Sequence, residues 1–204
     1  MTSFDDFGFA EPIKRALIEE KYQTPTPIQG ETIPIALSGR DVIGIAQTGT
    51  GKTAAFALPI LQRLSADPRP PQRKACRVLV LSPTRELSGQ ILDAFQAYGR
   101  HLGVRATLAI GGVPMGRQVR ALLHGVDVLV ATPGRLLDLV RGNALRLGAV
   151  EVLVDLVRHE RRERGEQLRG RDEALAQRRE GDRVALPEAA ARAAHVPVGQ
   201  TLDE

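Results

Sequence analysis

Two periodicities alternate along the first three-quarters of the chain. The stretch "EPIKRALIEE" (residues 11–20) has helical spacing, as does "TPIQGETIPIAL" (26–37), which "SGRD" stops. The short apolar run "DVIGIA" (41–46) predicts a strand, and "KTAAFALPILQRL" (52–64) a long amphipathic helix. Prolines and charges make "SADPRPPQRKA" (65–75) a loop. The pattern then repeats. "RVLVLS" (77–82), "VRATLAI" (104–110), "VDVLVAT" (126–132) and "AVEVLV" (149–154) predict strands. Between them "TRELSGQILDAFQAYGRHL" (84–102), "GRQVRALLHG" (116–125) and "PGRLLDLVRG" (133–142) predict helices. Short apolar strands alternating with helices imply crossover connections and an α/β fold, a parallel sheet covered by helices on both faces. Ligands of such sheets bind beyond the carboxyl ends of the strands.

The pattern fails from about Asp155. The last 50 residues contain no Phe, Tyr, Trp, Ile, Met, Cys or Lys and are dominated by Arg, Glu, Ala and Gly. Such a segment buries little apolar area against its ordering cost. Residues 1–154 are therefore expected to form the domain. Residues 155–204 are expected to be a charged tail, disordered or carrying one helix over "EQLRGRDEALAQRRE" (166–180).

Composition narrows the class. No apolar run approaches the roughly 20 residues of a membrane helix, and the acidic start "MTSFDDFGFAEP" is no secretory signal. The single cysteine, Cys76, excludes an internal disulfide. The expectation is a cytoplasmic protein with no membrane partner. A net charge of +4 permits a nucleic-acid partner, while five Phe, two Tyr and no Trp argue against rows of base-stacking platforms. The four histidines and one cysteine show no metal-ligand spacing.

The strongest chemical signal is "AQTGTGKT", Ala46 to Thr53, between a predicted strand and a predicted helix. Glycines let backbone amides turn toward phosphates, and the helix start adds partial positive charge. Lys52 would reach the terminal phosphates of a nucleotide, and the Thr53 hydroxyl would ligate Mg²⁺. Upstream, "YQTPTPIQ" (Tyr22 to Gln29) has two readings of equal weight. Thr26, Pro27 and Gln29 make a capping box with proline at the first helical position. Alternatively the Gln29 amide pairs with adenine N6 and N7, with Tyr22 packed on the base. "SPTREL" (Ser82 to Leu87) and "TPGR" (Thr132 to Arg135) are further helix starts after strands, each with a capping hydroxyl, then proline at the first helical position, with Arg85 or Arg135 beside it. The pair Gly111–Gly112 allows close backbone approach at another strand end. Taken singly, each reads as an ordinary helix start or turn. Together they suggest a second phosphate-bearing ligand along the sheet edge.

In order and spacing these strings resemble the first RecA-like domain of the DEAD-box RNA helicases. "YQTPTPIQ" is similar to their Q motif, with Phe4 at the upstream aromatic and Lys21 where the family usually has glycine. "AQTGTGKT" matches motif I, "PTREL" resembles motif Ia, Gly111–Gly112 the family's GG doublet, and "TPGR" motif Ib. The resemblance implies a RecA-like P-loop NTPase fold, incomplete at its C-terminal part, and ATP-driven local unwinding of RNA. It implies ATP and Mg²⁺ on Phe4, Tyr22, Gln29, Gln47, Thr48, Gly49, Thr50, Gly51, Lys52 and Thr53, and moves Gln29 toward the base-reading role. RNA backbone would lie on Pro83, Thr84, Arg85, Gly111, Gly112, Thr132, Pro133, Gly134 and Arg135.

The resemblance breaks at motif II. Asp155 is placed to share Mg²⁺ with Thr53, making Lys52, Thr53 and Asp155 the catalytic set. The next residue, where the family has the Glu that activates water, is Leu156. Glu160 follows without a spacing that brings it to the γ-phosphate. The family's Ser-Ala-Thr motif and its second RecA-like domain, source of the arginine fingers, have no counterpart. "HERRERG" (His159 to Gly165) is a solvated arginine-rich run. The expectation is a domain truncated within motif II that binds ATP and RNA without unwinding. Two rivals are an ATPase completed by a carboxylate from the tail or a partner, and a non-catalytic nucleotide-dependent RNA-binding or regulatory module.

Overall fold

Four of the five predicted strands form, and they make one parallel sheet. The computed structural model describes residues 3–47 and 49–157. The tail expectations, including the helix over 166–180, and Thr48, Glu160 and the 159–165 run therefore lie outside the described residues.

A single turn of tight helix (Phe4–Phe7) precedes α1 (Glu11–Glu19), α2 (Pro27–Leu37) and α3 (Lys52–Ala66). Then come β1 (Cys76–Leu81), α4 (Arg85–Tyr98), β2 (Ala106–Ala109), α5 (Met115–Leu122), β3 (Val126–Ala131), α6 (Pro133–Arg141) and β4 (Val152–Asp155). The sheet order is β2-β3-β1-β4. The central strands β1 and β3 are apolar almost throughout because both their faces are covered. Val78, Val80, Val128 and Val130 face α1, α3 and α4. Leu79, Leu129 and Ala131 face α5 and α6.

The register sets where the strands stop. Leu81 pairs with Ala131 and with Asp155, and Ala109 pairs with Ala131. All four strands thus end at one level, and the segments leaving them sit side by side.

The predicted strand over 41–46 does not form. Ile43 and Ile45 are 73% and 75% exposed. A strand exists only against a hydrogen-bonded neighbour, and the sheet ends at β4 among the described residues. An apolar run without a ladder to join stays irregular.

Lys21 closes α1 at φ +60°, and the Tyr22 amide donates to Leu17 O at 2.9 Å. This is the left-handed helix stop that glycine normally fills, so the departure from the family's glycine places a lysine in a strained conformation.

At the amino end of the sheet a buried arginine ties two segments together. Arg77 donates to Glu151 Oε1 at 2.7 Å and to Asp67 Oδ2 at 3.0 Å, and Arg69 pairs with both carboxylates at 2.9 Å. Burial alone would raise the Glu151 carboxyl. The Arg77 hydrogen bond and the charges of Arg77, Arg69 and Arg63 outweigh it and hold the group below its ordinary value. A depressed carboxylate stabilises the fold above its unfolded pKa, and the contribution is lost as pH falls through the folded pKa. Glu151→Gln is therefore expected to lower unfolding free energy at neutral pH by about 1–2 kcal/mol. The deficit should shrink as the pH drops below about 4. Urea denaturation across that range checks it, and a deficit independent of pH would refute the charge argument.

Candidate functional site

The phosphate loop opens α3, with Gly51 capping the helix at φ +86° and Gly49 at φ +80°. Both conformations are ones that only glycine adopts without strain. Thr50 Oγ1 donates to Gln47 O at 2.8 Å, tightening the turn. Lys52 Nζ donates to Gln47 O at 3.0 Å and also to Ala46 O. The ammonium is thus folded onto its own loop. Thr53 lies on the first helical turn, half-buried.

The loop is fastened from one side by the start of α2. Gln29 is 2% exposed. Its Oε1 accepts from the Thr26 amide at 2.9 Å, and its Nε2 donates to Gly51 O at 3.1 Å. Thr26 Oγ1 donates to Thr50 O at 2.8 Å. A Cβ at Gly51 would collide with the Gln29 amide. The carboxamide therefore serves the helix start, as the capping reading has it, and holds the phosphate loop as well, which the sequence does not suggest. Tyr22 is half-buried. Its ring meets Phe4 and Tyr98 edge-on, and its hydroxyl is 2.7 Å from the Tyr98 hydroxyl. Burial and that hydrogen bond push the Tyr98 hydroxyl well up. Phe4 is buried against Phe7 and Tyr22. These aromatics form a cluster rooted in the core.

A second site lies along the level strand ends. A cavity of about 520 Å³ is lined by Pro83, Thr84, Arg85, Gly111, Thr132, Gly134 and Arg135, all expected from the sequence, and by Glu86 and Asp138, which are not. Gly112 and Pro133 are not among its lining residues. Thr84 Oγ1 accepts from the Leu87 amide at 3.2 Å, which leaves its hydrogen to donate. The Arg85 guanidinium lies on the glycine pair, where a Cβ at Gly112 would strike it. Arg135 donates to Val113 O at 2.9 Å and lies 3.7 Å from Asp138 Oδ2. Sequence reasoning misses Glu86 and Asp138. Each sits on an amphipathic helix where a polar residue reads as solvent-facing.

Asp155 ends β4 and is exposed, with its Oδ1 accepting from the Val157 amide at 3.0 Å. Leu156 continues the ladder by donating to Leu81 O at 3.0 Å, and its side chain packs against the core under α1, α3 and α4.

A phosphate loop opening a helix beside a parallel sheet defines a P-loop NTPase of RecA-like architecture. Similarity to known proteins narrows this. The DEAD/DEAH box helicase family model matches residues 26–169, and the chain belongs to that family. It is 46% identical over 154 residues to the DEAD-box ATP-dependent RNA helicase 30 of Arabidopsis thaliana, covering 76% of this chain and 26% of that protein. It is 47% identical over 154 residues to the ATP-dependent RNA helicase DeaD of Escherichia coli (strain K12), covering 75% of this chain and 24% of that protein. A crystal structure of a hypothetical ATP-dependent RNA helicase from Sulfolobus tokodaii superposes with a TM-score of 0.67 at 34% identity. That match covers 77% of this chain and 44% of that one. The chain spans about a quarter of the length of these curated relatives.

The Gln29 latch has a measurable consequence. Gln29→Ala removes bonds to Thr26 and Gly51 and leaves buried polar groups unpaired. It should lower unfolding free energy by about 1–3 kcal/mol and speed hydrogen exchange in the phosphate loop. Unchanged stability and exchange would show that the latch is idle.

Proposed function

We propose that this chain binds ATP and an RNA backbone as the first RecA-like domain of a DEAD-box helicase, in the cytoplasm. On this reading the 204 residues alone neither hydrolyse ATP at a helicase's rate nor unwind a duplex. The observation that carries the second half is Leu156, a half-buried apolar side chain packed against the core where a water-activating glutamate is needed.

On this reading the γ- and β-phosphates replace the carbonyls of Ala46 and Gln47 as partners of Lys52. The loop amides and the start of α3 share the remaining charge. Gln29, bonded to Gly51 of the loop, would pair with adenine, and Tyr22 would pack on the base. The Thr53 hydroxyl and Asp155 carboxylate are hard oxygen donors that fit Mg²⁺. Among the described residues no cluster of three or more His, Cys, Asp or Glu exists to hold a metal. The ion would therefore come with the nucleotide's phosphates, whose charge it neutralises. RNA phosphates would meet the amides at the starts of α4 and α6, the Thr84 hydroxyl, Arg85 and Arg135.

Hydrolysis needs an oriented water and neutralised charge. Losing a general base costs roughly 10²-fold or more, and an arginine finger on the order of 10³. Turnover should therefore sit near background. A phosphate-release assay with and without RNA, run beside strand displacement, checks this. ATP-dependent displacement abolished by Lys52→Ala would sink the reading. Labelled ATP should bind more tightly than GTP, and Gln29→Ala should erase the difference. Equal affinities in the parent chain would leave Gln29 as a latch alone.

A further inference from the structure

Gln118 belongs to neither the phosphate loop nor the cavity lining, yet it is only 6% exposed. From α5 its Nε2 donates to Ile110 O at 2.9 Å. Beyond the glycine pair, Arg135 holds Val113 O at 2.9 Å. Between these two pinned carbonyls lie Gly111 and Gly112, the latter at φ +78°. The Arg85 guanidinium rests on that glycine pair, within 3.5 Å of where a Cβ on Gly111 would stand. Two adjacent glycines are the most conformationally free dipeptide a loop can carry. A flat seat for Arg85 therefore requires the loop to be fixed from outside, at both ends.

The geometry points to Gln118 as a positioning residue for the RNA cleft. It touches no RNA itself. It holds the glycine loop so that Arg85 is already aimed at a phosphate, which removes an ordering cost from binding. This inference rests on the reading of that cavity as an RNA-backbone site.

The other end of the same amide supports the assignment. Gln118 Oε1 is buried with no hydrogen-bond partner among the described residues. A buried acceptor without a partner is unfavourable, and a methionine of similar length would avoid it. As a packing element glutamine is thus the poorer choice here, and the one bond it makes to Ile110 is its use.

The full chain, with ATP and Mg²⁺, is titrated with fluorescein-labelled oligouridylate across a salt series. Three proteins are compared: parent, Gln118→Met and Arg85→Ala. Gln118→Met gives up the bond to Ile110 O but also removes the unpaired Oε1, so it should melt close to the parent temperature and bind the oligouridylate roughly five-fold more weakly, the size of one lost hydrogen bond. Its slope of log affinity against log salt should equal the parent's, because no phosphate contact has gone. Arg85→Ala should weaken binding and flatten that slope by about one. In the Arg85→Ala background, adding Gln118→Met should cost little more, since the two act as a unit. If Arg85→Ala weakens binding and Gln118→Met does not, the positioning role fails while the cleft stands. A clear fall in melting temperature for Gln118→Met would make the amide a packing element and overturn the role. A flattened salt slope in that variant would instead make Gln118 part of the phosphate contact and overturn it as well. If Arg85→Ala binds like the parent at every salt concentration, the RNA reading of the cavity falls and this inference with it.

Discussion

The parallel register of the sheet is the constraint on which the rest of the structure depends. Leu81, Ala109, Ala131 and Asp155 share one level. The segments beyond them therefore emerge in a row, and Thr84, Gly111, Thr132 and Leu156 become neighbours despite wide separation in sequence. Because side chains alternate across a strand, a slip of one residue would turn Val78, Val80, Val128 and Val130 from one core to the other. The valines that stabilise the sheet thus also set the geometry of its carboxyl edge. Stability and site are fixed by the same pairs.

The phosphate loop is held differently. The apolar run before it joins no ladder, and β4 carries a ladder bond only toward β1 among the described residues. The loop is consequently located by α3, which it opens, and by Gln29 and Thr26 from α2. Side-chain bonds of this kind are worth about 1 kcal/mol each, far less than a strand packed on both sides. Lys52, folded onto Ala46 and Gln47, adds a further contact that phosphates would replace. The loop is thus a part of the molecule whose position depends on a few polar bonds, while the cavity at the strand ends rests on the sheet.

This difference also explains what is legible in the sequence. Strands β1 and β3 and the six helices can be read because their apolar spacing is local and strong. The run at 41–46 has the same local signal and forms no strand, because pairing is a property of a neighbour that spacing does not reveal. The cavity at the strand ends is legible as three similar helix and turn starts, although Thr84 rather than Ser82 caps α4, with Pro83 ahead of the cap, and Thr132 opens α6 without a side-chain cap bond. Gln29 reads as either cap or base reader, and the structure shows a third role, the latch on Gly51. Its partner lies 22 residues away, so local spacing carries no sign of it. Gln118 is invisible. Within "GRQVRALLHG" a glutamine looks like a solvated position, and only the turn of α5 against the glycine loop buries it. The motif around Tyr22 suggests a base platform, and its bond to Tyr98 is another contact that only folding discloses.

The composition of the cleft bears on how it would recognise a strand. Arg85 and Arg135 are matched there by Glu86 and Asp138, so the formal charges cancel within the cavity. A bare arginine cluster would hold any polyanion through counterion release. A neutralised cavity gains less from charge alone and leaves more of the selection to directed groups. Those are the amides at the starts of α4 and α6, the Thr84 hydroxyl and an Arg85 fork held in one plane on the glycines. Such donors act over hydrogen-bond distances and reward one backbone path rather than any nearby phosphate. In a cavity that takes a polyanion, the two acidic residues would lower raw affinity and raise dependence on geometry. On that account the bonds that fix the geometry, from Gln118 and Arg135 to the loop carbonyls, would matter more here than in a simply basic groove.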